Sequence, residues 1–439
     1  MPEAKPTTKP EWRAKSEALI TSSGKLLQMA VYGIAGAGLL YTLLDFWGVR
    51  AGGFISITNK LAGDLFMVAF GVSMAMGFRA ILDRLTPDFK PKAAAAGKEK
   101  SSMVTGMMSD PAEFLRYGLY TTAWLGMLAV VLSTFAARGR GTFSVWQGFT
   151  QVMALTAFAS LILLALRLAV RQMEGRAPSG AADDAAKKTE KPTGIKDMTA
   201  ILSDDRKVLR YGMWAVALLA YVYAAITVWT SRGAGFAAVW KWLFNDLFLL
   251  IGAVTMIALA IHGVELLRRV SKGGDAMPVN IARGRAGKVL NDPYLLTGAG
   301  AAALLGGGAL WLLFFLSSVG GASFSGFLVV LGLIVMLASS FGGFLASVYA
   351  AILRHRAGDK DAAAKGLLAD PVAMSRIWVY ATAYGGLVLL VFLFWSFRGI
   401  GLFMWTNASL MLLTLLIVIS PLLMFRAAYP LIETKLPKK

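Results

Sequence analysis

Residues 110–141 read DPAEFLRYGLYTTAWLGMLAVVLSTFAARGRG, and this stretch decides the fold. Asp110 accepts hydrogen bonds from the free N–H groups of a first helical turn, and Pro111 needs no donor there, so the pair marks a helix start. Arg116 opens an apolar run that ends at Arg138, 22 residues on. At 1.5 Å per residue that is about 33 Å, one membrane thickness. Each arginine can snorkel to headgroups at its own interface, with Tyr117 and Tyr120 where an aromatic belt sits. The Gly-rich turn Arg138-Gly-Arg-Gly then reverses the chain, using glycine for positive φ.

The same unit recurs along the chain. Stepping back 22 positions from Arg232 and Arg398 finds Arg210 and Arg376; from Arg50 it finds Gln28. Asp204, Asp292 and Asp370 match Asp110 as helix N-caps, with Pro next at Pro293 and Pro371, and Glu113 offers a capping-box partner to Asp110. Aliphatic pairs precede each cap (Met107–Met108, Ile201–Leu202, Val289–Leu290, Leu367–Leu368) and read as short interfacial segments. Trp146, Trp240 and Trp405 restart the following helices. A fixed repeat of this kind means tandem copies of one supersecondary unit.

Working outward, ten segments are long and apolar enough to span: 26–47, 58–82, 112–136, 145–171, 208–231, 238–267, 294–318, 324–353, 374–397 and 404–429. The chain therefore reads as an all-α polytopic membrane protein, ten transmembrane helices in five tandem, same-orientation helical hairpins. A cytoplasmic tail (1–24) leads into hairpin 1 (25–87), a basic linker (88–106), hairpin 2 (107–176) and a linker (177–198). Hairpin 3 (199–272), a basic linker (273–288), hairpin 4 (289–357), a linker (358–366), hairpin 5 (367–430) and a tail (431–439) follow.

Composition agrees. The 439 residues are 57% hydrophobic and 16% charged, with mean hydropathy +0.62, whereas soluble domains carry about a quarter charged residues. The absence of cysteine excludes disulfide scaffolds, zinc fingers and thiol chemistry. The formal charge of +19 is explained by topology and not by nucleic acid. The tight turns and their flanks hold 7 of the 44 basic and 3 of the 25 acidic residues; the termini and linkers hold 37 and 22. By the positive-inside rule, the linkers and both termini are cytoplasmic. The first 25 residues lack the apolar core of a signal peptide. The Ala/Gly/Arg-rich usage fits a bacterial inner membrane, with anionic headgroups facing the basic linkers.

Hairpin 4 departs from the pattern. It lacks both interfacial arginines and concentrates Gly298, Gly300, Gly306, Gly307 and Gly308 in one helix, with Ser339, Ser340, Gly342 and Gly343 in the next. Small residues let helices approach closely in lipid, so this hairpin is expected to be the most enclosed one, or the face for self-association or a protein partner.

Ionisable groups at membrane depth are functional candidates by default. Asp64 and Asp246 are equivalent: each lies ten residues after a turn phenylalanine (Phe54, Phe236) and begins Asp-Leu-Phe, with Asn245 before the second. Two matched carboxylates can form a proton or cation site. The simpler expectation is an ion pair, since Lys60 precedes Asp64 by four residues and Lys241 precedes Asp246 by five. His262 and Glu265, three residues apart, could form a proton relay or cofactor site; a satisfied histidine above a Glu265–Arg268/Arg269 pair is the plainer expectation. His355 reads as linker surface, and Arg79 and Arg167 as snorkelling groups near inner helix ends. Gln147, Gln151 and Asn407 suit helix–helix hydrogen bonds, and Pro421 should kink the last span. No metal site, cofactor motif or catalytic motif is found in the sequence.

The reading most in keeping with few buried charges and a same-direction repeat is a non-enzymatic scaffold or accessory subunit of a membrane complex. The alternative is a secondary transporter or proton/cation channel using Asp64 and Asp246; a membrane enzyme or cofactor binder around His262 and Glu265 is the third. Reporters inserted in the linkers at 88–106, 177–198, 273–288 and 358–366 are expected to register the cytoplasm, and reporters in the turns the opposite compartment. One linker found opposite its neighbours sinks this topology.

Overall fold

The structure is a computed structural model that describes residues 23–85, 110–137, 139, 141–174, 204–233, 235–272, 281–282, 284–318, 324–364, 366, 370–396, 398 and 401–433. Arg138 and three of the aliphatic pairs before the caps lie outside these residues, as do the linkers 88–106 and 177–198 and most of 273–288. Nearly all described residues are helical and none forms a strand. In chain order the helices are α1 (Ser23–Val49), α2 (Phe54–Leu85), α3 (Pro111–Ala136), α4 (Thr142–Met173), α5 (Asp205–Ser231), α6 (Phe236–Lys272), α7 (Gly284–Leu290), α8 (Pro293–Ser318), α9 (Phe324–Ala364), α10 (Pro371–Ser396) and α11 (Leu402–Glu433). All except α7 are long and apolar enough to cross a membrane.

Their ends follow from residue chemistry. Asp110 Oδ1 accepts from the Ala112 N–H at 3.0 Å and Asp204 Oδ1 from Arg206 at 3.0 Å. Asp292 Oδ1 accepts from Tyr294 at 2.9 Å, and Asp370 Oδ1 from both Val372 and Ala373 at 3.0 Å. Glu113 does not complete a capping box; it accepts from Arg116 at 3.5 Å, one helical turn ahead. At the reversals Gly141, Gly235 and Gly401 take φ of +93°, +89° and +60°, backbone that only glycine adopts without strain.

Two helices run further than the spans require. α6 has 37 residues and α9 has 41; the latter measures about 60 Å at 1.5 Å per residue. His355 and most of the segment 358–366 are therefore helical continuation of α9 and not irregular linker. Pro421 lies inside α11, which runs through it to Glu433.

Along the chain each spanning helix packs on the next, and α11 packs on α1, so the contacts close into a circuit. Inside it α4 touches α2 and α6, and α11 touches α2 and α9. The enclosed member is α4: every residue from Leu161 to Val170 is buried, and a helix apolar all round must sit inside its bundle. Its most apolar stretch is 56% buried against 22% for α3 and α5.

The Gly-rich pair α8 and α9 is thus not the most enclosed. Several of its small residues serve internal packing, while Gly306 and Gly307 face open space. Gly298 faces Tyr349, Gly300 faces Thr255, and Gly342 faces Leu305. The closest approach joins α9 to α10: a Cβ on Gly332 would lie 2.8 Å from the Leu389 backbone N, and one on Gly385 would lie 3.0 Å from the Met336 N. Here backbones meet, and Ser339 and Thr382 exchange a 3.0 Å hydroxyl bond across the contact. Such contacts drive association where water expulsion cannot.

Gly343 faces the Trp378 ring, and a Cβ there would fall 2.3 Å from its Cγ. Gly343→Leu is expected to separate α9 from α10 at a cost of about 1–3 kcal/mol, lowering the melting temperature in detergent; Gly306→Leu, at a position with no atom within 4 Å of the added Cβ, is the control that should leave it unchanged.

Candidate functional site

Two matched polar groups lie within the spans, one between α1 and α2, the other where α4, α5 and α6 meet. Helical spacing builds both. Tyr41 and Tyr223 each lie nine residues before a turn arginine, Arg50 and Arg232, while Asp45 and Thr227 each lie five before it. Residues four apart share a helix face, so each Tyr stands over its Asp or Thr and both look toward the following helix. That helix supplies Asp64 in one group and Asp246 in the other.

The expected Lys60–Asp64 pair does not form. Lys60 Nζ reaches across to Asp45 Oδ1 at 2.9 Å, because the facing helix brings a carboxylate nearer than the one a turn away. Asp64 is 7% exposed and makes side-chain contact with Tyr41 and Asp45. This group holds two acids and one base, with Asp45 Oδ2 buried and without a hydrogen-bond partner.

The expected Lys241–Asp246 pair is absent as well. Lys241 Nζ lies 5.2 Å from the centre of the Trp242 ring and 6.0 Å from that of Phe315, a cation held by aromatic faces. Five residues on a helix turn through 500°, which points Lys241 well away from Asp246. Asp246 is 2% exposed. Its Oδ1 accepts from Asn245 Nδ2 at 3.1 Å, and it lies beside the Thr227 hydroxyl. Its Oδ2 is buried without a hydrogen-bond partner, and among the described residues no Lys or Arg stands within ion-pair distance.

Around Asp246 the lining is polar and assembled from three helices. Gln147 Nε2 donates to Thr227 Oγ1 at 3.1 Å, and Thr227 Oγ1 donates to the Tyr223 carbonyl at 3.0 Å. A cavity of about 180 Å³ adjoins them, bounded by Gln147, Tyr223, Thr227, Thr230, Ser231 and Trp242. That is room for several waters. One carboxylate among neutral oxygens suits a proton or a small monovalent cation, because a single negative charge balances a single positive one.

The remaining candidates separate from this site. His262 Nε2 lies 2.8 Å from the Leu290 carbonyl, so the ring ties α6 to the end of α7. No group of three metal-ligating side chains occurs among the described residues, and the Arg268 and Arg269 side chains lie outside them. Arg210 is exposed, and its Nε donates to the Ile281 carbonyl at 3.1 Å, tying α5 to the segment before α7. At the turns Arg50, Arg232 and Arg398 sit 4.1, 4.0 and 4.2 Å over Trp47, Trp229 and Trp395, three residues before each. Arg116 stands 5.8 Å from the Tyr120 ring centre, and Arg376 is exposed. Tyr41, Tyr223 and Thr227 escaped the sequence reading, although applying the arginine offset to tyrosine would have exposed the match.

Comparison with known protein families finds no match, and neither curated proteins nor solved structures match this chain.

Lys60→Met removes the cation paired with Asp45, which is 6% exposed, and should cost about 1–3 kcal/mol of stability for the stranded acid. Asp246→Asn strands no cation and should leave stability unchanged or raised. Equal melting-temperature losses for the two variants would show that Asp246 is held by a countercharge after all.

Proposed function

We propose that this chain is a non-enzymatic integral membrane protein that binds a proton or small monovalent cation at Asp246, with Asp64 as the matched second group, and works as a transporter or channel. One observation carries the reading: a carboxyl that is 2% exposed, with an unpartnered oxygen, stands in a polar niche with no neighbouring cation. An isolated charge in such a place is costly, so the group is protonated or holds a bound ion. The Lys60–Asp45 pair leaves Asp64 as the surplus acid of its group.

In this proposal the ten helices are five tandem hairpins of one orientation in a bacterial inner membrane, with linkers and both termini in the cytoplasm. The short connections between α1 and α2, α3 and α4, α5 and α6, and α10 and α11, together with the charge asymmetry, support that arrangement. It places Asp246 in the outer third of the membrane, ten residues from the start of α6.

A second reading, a scaffold or accessory subunit of a membrane complex, is supported by the closed helix circuit, a frame in which each helix is braced by its neighbours.

Purified protein in liposomes decides between them. Under the first reading an imposed proton, Na⁺ or K⁺ gradient drives flux through the wild type, and Asp246→Asn lowers it at least tenfold while the protein stays folded. Flux unaffected by Asp246→Asn rejects the site. No flux at all, together with stoichiometric subunits that co-purify in mild detergent, establishes the scaffold.

A further inference from the structure

At the linker-side end of α4, Arg167 is 8% exposed, and its Nε is buried without a hydrogen-bond partner. It does not snorkel clear of the bundle. One turn on, Arg171 has a buried Nη1 in the same condition. The groups electrostatically close to Arg167 come from three helices: Arg171 on α4, Arg116 and Tyr120 on α3, and Asp205 on α5. Arg206 follows Asp205, and its Nε is also unpartnered. Glu113, on α3, is drawn to Arg116 at 3.5 Å.

The charges do not balance. Three guanidiniums, Arg116, Arg167 and Arg171, stand with two carboxylates, Glu113, which is taken up by Arg116, and Asp205, whose Oδ2 is buried without a hydrogen-bond partner, and no ion pair links Arg167 or Arg171 to either acid among the described residues. Elsewhere at this end basic side chains do meet acids: Arg84 on α2 is joined to Glu174 at the end of α4, and Arg79 lies 3.8 Å from Asp83. A buried guanidinium with unmet donors is unfavourable, and its planar fork matches the oxygens of a phosphate. The missing component is an anion.

Next to this cluster the outer face of α3 is apolar and open. Tyr120, Trp124, Met127 and Val131 are all exposed, Trp124 at 68%. They fall three to four residues apart, so they form one stripe running from the arginines along the helix. A phosphate at Arg167 with hydrocarbon lying along that stripe is the shape of a phospholipid. A free phosphate would use the arginines and leave the stripe unexplained.

We infer that Arg167 and Arg171, with Arg116, hold the phosphodiester headgroup of an anionic phospholipid where α3 packs on α4, with its acyl chains along Tyr120, Trp124, Met127 and Val131. This site is independent of Asp246 and stands whether the protein carries ions or braces a complex.

The test is native mass spectrometry and thermal melting of the delipidated full chain, followed by reconstitution in nanodiscs of phosphatidylglycerol or phosphatidylcholine. Wild type should retain phosphatidylglycerol through delipidation and melt several degrees higher in phosphatidylglycerol than in phosphatidylcholine. Arg167→Gln should cut the retained lipid at least fivefold and remove the difference in melting temperature. Arg171→Gln, at a less buried position, should act in the same direction, and Arg79→Gln should change neither readout. Equal retention by wild type and both Arg167→Gln and Arg171→Gln overturns the site. An identical melting shift from inorganic phosphate alone in detergent overturns the lipid assignment in favour of a soluble anion.

Discussion

Inside hydrocarbon a backbone N–H or C=O without a partner costs several kcal/mol, and this requirement governs the architecture described above. It forces each crossing segment into helix, and it makes the first turn of each helix, whose donors have no intrahelical acceptor, the place where side chains matter most. Asp110, Asp204, Asp292 and Asp370 supply the acceptors. With the backbone satisfied, nothing analogous to water expulsion remains to pull helices together, so association falls to van der Waals contact. The close meeting of Gly332 and Gly385 with the facing backbones of α10 and α9 is that contact at its tightest.

The sequence made the helices readable because length, hydropathy and capping act within a single segment. The ten apolar runs, the Asp caps and the turn glycines are local properties, and each corresponds to a helix, a hydrogen bond or a positive φ in the structure. What failed was partner choice. Lys60 was matched with Asp64 by counting along one helix, whereas its partner Asp45 belongs to another. Nothing in the span of Arg210, which is exposed, hints that the Ile281 carbonyl comes within its reach. His262 is satisfied, as its sequence setting suggests, but by a carbonyl 28 residues away at Leu290. Enclosure was misjudged for the same reason: small residues in α8 and α9 signal closeness to a neighbour, while α4 is central because of where its neighbours are placed.

The two polar groups show how a repeat diverges. Where one copy has Asp45 and Lys60, the other has Thr227 and Trp242 at the same offsets. The substitutions remove one negative and one positive charge together, so the remaining acid keeps its setting while the niche around it becomes uncharged. Asp64 has a salt-bridged pair for company; Asp246 has the Asn245 amide and the Thr227 hydroxyl, the latter bounding a cavity. The difference is chemical and not merely geometric, and it makes the α4–α5–α6 niche the more suitable of the two for an exchangeable occupant.

The contact between α11 and α1 joins opposite ends of the chain. During synthesis α1 enters the membrane long before its second neighbour exists, and its flank toward Leu416, which meets Gly33 in the finished protein, has only lipid or an insertion factor to cover it. Closure of the loop of helices therefore has to wait for α11. Until α11 is in place, the faces of α1 and α2 that it covers in the finished protein are open to lipid or to another chain.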